Sequence, residues 1–186
     1  METATRSTTC PACGADNRRP ACFEFQTGRG STPWAQCDGC QTYFMTSEYD
    51  ADGETEHSRE MAWGNEDQGA ALNRRKTGGF QATLDEIERL GYGASRLLDV
   101  GCSFGGILPE AKKRGFQACG VDIVPEAVDY VQRLGFTAET CSSLNDCSVY
   151  SADNPADVIT VLDAHIYWPD QLEELRAAWR LSLIHI

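Results

Sequence analysis

The sequence predicts an α/β fold: a doubly wound parallel sheet of about four strands, preceded by a small metal-stapled module. Three observations carry this. The run Leu97-Leu98-Asp99-Val100-Gly101-Cys102-Ser103-Phe104-Gly105-Gly106 passes from apolar residues through an acid and a glycine turn into a helical pattern. From there to residue 180, short apolar runs alternate with segments of helical period. Upstream lie two Cys-x2-Cys pairs separated by 23 residues.

The bulk numbers agree. A chain of 186 residues, 41% apolar and 24% charged, has the composition of a soluble globular protein with room for one core and a small extra module. No apolar run approaches the roughly 18 residues of a membrane span. Met1-Glu2-Thr3-Ala4-Thr5-Arg6 lacks the apolar stretch of a signal peptide. These features predict no membrane association and a cytoplasmic location, where nine cysteines serve as metal ligands or free thiols rather than disulfides.

The net charge is −12, and no basic half is concealed: residues 1–80 hold 8 Lys/Arg against 12 Asp/Glu, and residues 81–186 hold 8 against 16. Only Arg74-Arg75-Lys76 and Lys112-Lys113-Arg114 cluster positive charge, and each reads best as a solvated helix face. Nucleic acid is therefore disfavoured as a partner.

In chain order, residues 1–9 are polar and unpatterned, which predicts a disordered tail. Residues 10–45 contain Cys10, Cys13, Cys37 and Cys40, with Gly14 and Gly39 beside them and short strand-like pieces between. Each Cys-x2-Cys can turn two sulfurs onto one tetrahedral ion, so this reads as a zinc ribbon. Four cysteines leave no open coordination position, which makes the zinc structural, and a segment this small needs its metal to fold. Cys22 lies outside both pairs and reads as a buried thiol.

Residues 46–79 read as a linker and helical lead-in, with His57 exposed in its acidic, weakly patterned first part. Phe80, Leu84, Ile87 and Leu90 recur at helical spacing, and Gly91 stands where a left-handed cap would close that helix. The domain proper spans residues 80–186.

Leu97 to Val100 is too short and apolar for a surface helix and fits a buried parallel strand. A helix over 107–114 ends at Gly115, and the strand at 116–123 again closes on an acid, Asp122. Pro125 suits the first helical turn and Glu126 the positive end of its dipole, with Ala127, Val128, Val131 and Leu134 as the buried stripe. A weaker strand at 136–140 and a nearly all-apolar one at 157–162 follow. The last helix begins near Asp170, with Leu172, Leu175 and Trp179 expected inward and Glu173, Glu174 and Arg180 placed as its dipole prefers.

A dinucleotide fingerprint would put a glycine at position 103, where the pyrophosphate must approach the backbone. Ser103 places a Cβ there instead. S-adenosylmethionine has no pyrophosphate. Asp99 can attract the ammonium of its amino-acid tail, Gly101 and Gly105 let backbone amides approach, and Asp122, 21 residues after Gly101, can accept both ribose hydroxyls.

On these motifs, residues 97–180 resemble the class I S-adenosylmethionine-dependent methyltransferases of small-molecule type, a Rossmann-like family typified by Leu-Leu-Asp-Val-Gly-Cys followed by Gly-Val-Asp-Ile. Several members of that group carry an N-terminal four-cysteine ribbon. The resemblance implies that Asp99, Gly101, Cys102 and Gly105 surround the methionine moiety, and that Asp122 holds the ribose with Ile123 beside the adenine. It places Ser142 where the family often has an acidic adenine contact, and aligns Asp163, Pro169 and Asp170 with the segment after the fourth strand.

The family's Glu-His there is replaced by Ile166 and Tyr167, with His165 two residues early, so no catalytic residue is assigned. The family's sheet has seven strands. Leu181-Ser182-Leu183-Ile184-His185-Ile186 lacks strand context and resembles translated sequencing-adapter read-through, so a chain missing its C-terminal part and much of the acceptor pocket is expected.

The expected activity is methyl transfer to a small-molecule acceptor. The alternatives are RNA methylation with the ribbon as RNA-binding module, a non-catalytic cofactor-binding or protein-interaction module, and, last, an NAD-linked oxidoreductase.

Overall fold

The computed structural model describes residues 9–21, 25–27, 30–32, 34–46, 66–168 and 170–182. The readings of residues 1–8 as a tail, 47–65 as linker, Cys22 as a thiol, His57 as exposed, and residues 183–186 as read-through concern positions outside these. Among the described residues no helix is long and apolar enough to cross a membrane.

The cysteine module contains β1 (Arg18–Pro20), β2 (Phe25–Thr27), β3 (Gly30–Thr32), β4 (Trp34–Cys37) and β5 (Tyr43–Met45). β4 pairs antiparallel with β1 and β5, and β2 with β3. Cys10, Ala35, Cys37 and Phe44 form its small core. Two of these four core residues are prospective metal ligands, so apolar burial alone is thin there.

The second unit follows the predicted order: α1 (Glu66–Arg89), β6 (Arg96–Val100), α2 (Leu108–Lys113), β7 (Gln117–Asp122), α3 (Pro125–Arg133), β8 (Thr137–Thr140), β9 (Val158–Val161) and α4 (Gln171–Leu181). The four strands pair in parallel in the order β8-β7-β6-β9. This is the doubly wound Rossmann-like sheet the sequence predicts. The chain steps outward on one side of β6 and then returns to its other side, so the strand order reverses between β6 and β9. Open α/β sheets bind ligands at the carboxyl end of such a reversal.

Side-chain alternation sorts the core. Leu97 joins Leu84, Ile87, Ile107, Leu108, Phe116, Val128 and Val131 on the face covered by α1, α2 and α3. Leu98 and Val100 point the other way, to Val121, Leu144, Tyr150, Ala177 and Leu181 beneath α4. Asp99, two residues from Leu97, therefore faces the α1 side at the strand's end. At the opposite end, Arg96 clips β6 to β9: its backbone N–H and guanidinium all donate to the Asp157 carboxylate at 2.8–3.1 Å. That bond holds Asp157 below the ordinary carboxylate range.

Three expectations change. α1 begins at Glu66 rather than near Phe80, because its first half is fixed by contacts with the glycine turn and carries little apolar periodicity of its own. Leu134 is exposed, since α3 ends at Arg133 and Leu134 lies beyond its buried stripe. On α4, Leu175 and Trp179 are 56% and 61% exposed, while Glu174, Ala177 and Leu181 are buried. The helix is rotated because the Glu174 carboxylate accepts the Leu144 N–H at 2.8 Å. This turns Leu175 and Trp179 towards an apolar groove shared with Ile87, Leu90 and Val158. The left-handed caps hold: Gly91, Gly115 and Gly135 have φ of 94°, 86° and 81°.

α1 is docked through Gly69, whose missing side chain leaves room for the Phe104 ring. A Cβ at Gly69 would lie 2.2 Å from that ring, which stacks edge-on against Tyr130. Gly78, on the same helix, has nothing within 4 Å. In denaturant unfolding of the chain, Gly78→Ala should stabilise by about 0.5–1 kcal/mol through helix propensity. Gly69→Ala should destabilise by about 1–3 kcal/mol through overpacking. A stabilised Gly69→Ala variant would show that α1 is not seated on Phe104.

Candidate functional site

The turn after β6 is built from left-handed residues. Gly101, Ser103 and Gly105 have φ of 71°, 48° and 65°. The Gly101 and Cys102 amides both donate to the Val121 carbonyl, at 2.9 and 3.0 Å, which fastens the turn to β7. A Cβ at Gly101 would sit 2.3 Å from the Ala164 Cβ, and one at Gly105 would sit 3.0 Å from Val131. Both glycines thus have steric reasons inside the protein, besides their backbone angles.

Asp122, at the end of β7, completes the turn. Its Oδ2 accepts the Ser103 N–H at 2.8 Å and its Oδ1 accepts the Val124 N–H at 2.9 Å. Burial raises its pKa, and these backbone donors oppose the rise. The Ile123 amide is a third backbone donor to the same carboxylate, whose remaining lone-pair capacity is open to a further donor.

Between the turn, α1 and the loop after β9 lies a cavity of about 310 Å³. Its lining includes Asp99, Gly101, Cys102, Ser103, Leu162 and Asp163 at the sheet's carboxyl end. Asn73, Lys76, Phe80 and Thr83 of α1 face them. This is the position the strand-order reversal picks out. Asn73 anchors the helix there, its Nδ2 donating to the Phe104 carbonyl at 2.9 Å.

Asp99 is 5% exposed, and its Oδ1 accepts the Thr160 hydroxyl at 2.7 Å. Burial pushes its pKa up to about 7; the Thr160 bond opposes this, and the nearby Asp122 charge adds to it. Oδ2 has no hydrogen-bond partner among the described residues. A buried acid with one unclaimed oxygen in a cavity wall fits a cationic ligand group.

Of the residues singled out from sequence, Asp99, Gly101, Cys102 and Asp163 come together around the cavity. Asp122 adjoins them through Ser103. Gly105 packs towards Val131 and Leu108. Ile123 is exposed just past β7, and Ser142 just past β8. Cys102 turns its sulfur against the bare backbone of Gly120, where a Cβ would lie 2.6 Å away, and burial holds its thiol far above the ordinary range. His165 is exposed in a 3-10 turn over Ala164–Tyr167 and does not line the cavity. Sequence reasoning missed Asn73, Lys76, Thr83 and Thr160. The first three lie at helical spacing from Phe80, which is the signal that could have placed them.

Cys10, Cys13, Cys37 and Cys40 converge as predicted, with every Sγ within 4.8 Å of the others. Cys10 and Cys40 are 3.5 Å apart, and Cys13 and Cys37 3.6 Å. A tetrahedral Zn–S site has edges of about 3.8 Å, so the set could hold one such ion after small shifts. Thr42 Oγ1 lies 3.2 Å from the Cys40 sulfur and draws that thiol down to about 6, while the Cys13 thiol beside it is pushed up to about 12, the lowering by the Ala15 backbone bond being outweighed by the neighbouring sulfurs.

A family model described as a methyltransferase domain matches residues 42–182. A ubiquinone biosynthesis O-methyltransferase of Pseudomonas fluorescens is 33% identical over 99 residues, which is 50% of this chain and 42% of that protein. Among solved structures, the magnesium protoporphyrin IX methyltransferase of Synechocystis PCC 6803 with bound S-adenosylmethionine has a TM-score of 0.49 at 17% identity, covering 57% of this chain and 54% of that one. An S-adenosylmethionine-dependent methyltransferase from Aquifex aeolicus has a TM-score of 0.40 at 27% identity, covering 53% and 57%. The chain spans about half the length of these relatives.

Because burial raises Asp99, the folded protein retains a proton that the unfolded chain has released above pH ~4. Its contribution to stability is therefore present below that pH and lost as pH rises towards about 7. Over this window the stability of the natural chain should fall relative to Asp99→Asn by at most about 1.4 kcal/mol per pH unit. Carbon-13 NMR should find the Asp99 carboxyl titrating near 7, and higher still in Thr160→Val. Titration near pH 4 would refute the burial argument.

Proposed function

The chain belongs to the methyltransferase-domain family, and on that footing we propose that it takes part in S-adenosylmethionine-dependent methyl transfer to a small-molecule acceptor. The observation that carries this is the cavity at the strand-order reversal. It sets a buried acid, Asp99, beside the glycine turn, and the turn is fastened to a second buried acid, Asp122. The cofactor, when bound, supplies an activated methyl group on a sulfonium. The chain's own residues position it.

In this reading Asp99 receives the tail ammonium on Oδ2, while Thr160 holds the carboxyl's other oxygen and fixes its plane. Asp122 is held rigid by the Ser103 and Val124 amides and offers its remaining lone pairs to the ribose hydroxyls. Ile123, exposed next to it, offers an apolar surface to the adenine. Gly101 and Cys102 present backbone beside the tail, Gly105 seats the turn on α3, and Asp163 closes the far rim. Ser142, past β8, is the proposed adenine contact.

A small acceptor suits the acidic chain, whose basic clusters are two runs of three, Arg74-Arg75-Lys76 and Lys112-Lys113-Arg114, against a net charge of −12. The four cysteines hold a structural zinc ion in this proposal, and their closed set leaves it no catalytic position.

Calorimetry with S-adenosylhomocysteine tests the cofactor assignment. Asp122→Ala should weaken binding at least tenfold while far-UV dichroism stays unchanged; undiminished affinity in that variant would sink the ribose role. Tight binding of NADH in place of S-adenosylhomocysteine would overturn the whole assignment.

Metal analysis of the purified chain should give about one zinc per molecule. Cys37→Ser should lower that content and unfold the cysteine module. A metal-free chain with an intact module would leave the cysteines as four packed thiols.

A further inference from the structure

The loop after β8 returns to the strand it leaves, and a cysteine stands at each end of it. β8 ends at Thr140, and the Cys141 amide adds one more bond to the ladder, donating to the Asp122 carbonyl at 2.9 Å. The chain then passes through Ser142 and the 3-10 turn at Leu144–Asp146. Ser148 and Val149 bring it back. The Ser148 N–H and hydroxyl and the Val149 N–H all donate to the Glu139 carboxylate, at 2.8–3.1 Å. Glu139 and Cys141, two residues apart, share a face of the strand, and Cys147 immediately precedes Ser148. One carboxylate therefore draws Cys147 back towards Cys141.

Both cysteines are half-buried against one apolar cluster, that of Leu98, Val121, Leu144 and Tyr150. Cys119 of β7 belongs to the same cluster, so three thiols share the α4 face of the sheet. Their access differs. Cys119 is only 4% exposed, with its sulfur 3.6 Å from the Leu97 carbonyl, whereas Cys141 and Cys147 keep part of their surface open. Burial, followed by the nearby Cys147 thiol, pushes Cys141 up to about 12, and the charges of Glu139 and Asp146 act in the same direction. A dithiol whose thiolate is stabilised gives an easily reduced disulfide; here the local charge does the reverse.

We infer that Cys141 and Cys147 are a redox modification site, at which an intramolecular disulfide closes the neck of the loop after β8. The oxidant is a small disulfide of the glutathione class. The Cys147 thiolate attacks one of its sulfurs, the oxidant's S–S bond breaks, and one glutathione thiolate leaves. The Cys141 thiolate then attacks the Cys147 sulfur and expels the second glutathione thiolate. Two cysteine thiols are oxidised, one small disulfide is reduced to two thiols, and the cysteine protons end on those products. The new bond withdraws the Cys141 sulfur from the Ser143 carbonyl, 2.6 Å away in the reduced chain. It also removes open states of the loop, so that Ser142 and the 3-10 turn are held between covalent ends.

The test equilibrates the full chain with oxidised glutathione at mildly alkaline pH, then alkylates it, digests it with trypsin and maps the peptides by mass. Residues 134–176 form one tryptic peptide carrying Cys141 and Cys147, and Cys119 falls in the peptide before it. The expected product is peptide 134–176 short of two hydrogens and closed to alkylation until dithiothreitol is added. Amide hydrogen exchange at residues 144–147 should slow roughly tenfold in the oxidised chain. Cys147→Ser should abolish both effects, and Cys119→Ser should preserve them.

The mapping is read on the natural chain and does not depend on how any variant folds. A cross-link between Cys119 and Cys147, a lasting glutathione adduct on Cys147 with Cys141 still alkylated, or an unmodified peptide would overturn the pairing. A disulfide that leaves exchange at 144–147 unchanged would overturn the closure of the neck.

Discussion

The left-handed turn that carries β6 into α2 is the constraint on which the carboxyl end of the sheet depends. Gly101 bends the chain with φ of 71°, and its amide and the next both bond the Val121 carbonyl, so the turn takes its position from β7. The loop after β9 then settles on it, because Gly101 has no side chain to keep Ala164 away. Ser103 tolerates φ of 48° while its amide is held by Asp122. α1 closes over the far end through Asn73 and Phe104. The strand that precedes the turn, the strand beside it, the loop opposite and the covering helix thus converge on this one turn. Moving any one of them would move the cavity wall.

Much of this was legible in the sequence because buried parallel strands have few sequence alternatives. Leu97, Leu98 and Val100 make a run too short and too apolar for a surface helix, and the glycines, Pro125 and the strand-end acids punctuate the helices in characteristic places. The first half of α1 was not legible. Its reason for being helical is a set of tertiary contacts, a glycine beneath a phenyl ring and an amide on a carbonyl, and such contacts leave no period in the sequence. The cavity's helix-side residues were lost with it. Thr160 was hidden differently, as one β-branched residue in an apolar run, and only pairing β9 with β6 sets its hydroxyl on Asp99.

The misplacement of Leu175 and Trp179 has a more general cause. Hydrophobic periodicity assigns a helix face by apolar content, yet a buried hydrogen bond can override it. Glu174 is 7% exposed and satisfies the Leu144 amide, which starts the 3-10 turn after β8. An unpaired N–H at that depth would cost about 1–3 kcal/mol, comparable with burying one more large apolar side chain. With the acid turned inward, Leu175 and Trp179 flank the β9 edge. The cysteine module shows the opposite case. There a spacing of cysteines alone specified four sulfurs within bonding reach of one ion, because the ligand set and the fold of so small a unit are one constraint.

Asp99 raises a question that packing does not answer. A neutral Asn could accept the Thr160 hydroxyl at that depth without the desolvation cost of a carboxylate. The chain instead keeps an acid that burial pushes up to about 7, with a second buried acid, Asp122, close enough to push it further. Two acids at one end of a sheet cannot both ionise cheaply until a cation joins them. Asp163 adds a third at the rim, against Lys76 alone. The cavity walls therefore hold more acids than cations, which favours a ligand that brings positive charge to Asp99. S-adenosylmethionine has that sign, with an ammonium and a sulfonium against one carboxylate. A dinucleotide has the opposite sign, since its pyrophosphate is anionic and would meet the same acids without compensation. The charge of the walls thus argues for the same ligand class as the side chain of Ser103, and does so on independent physical grounds.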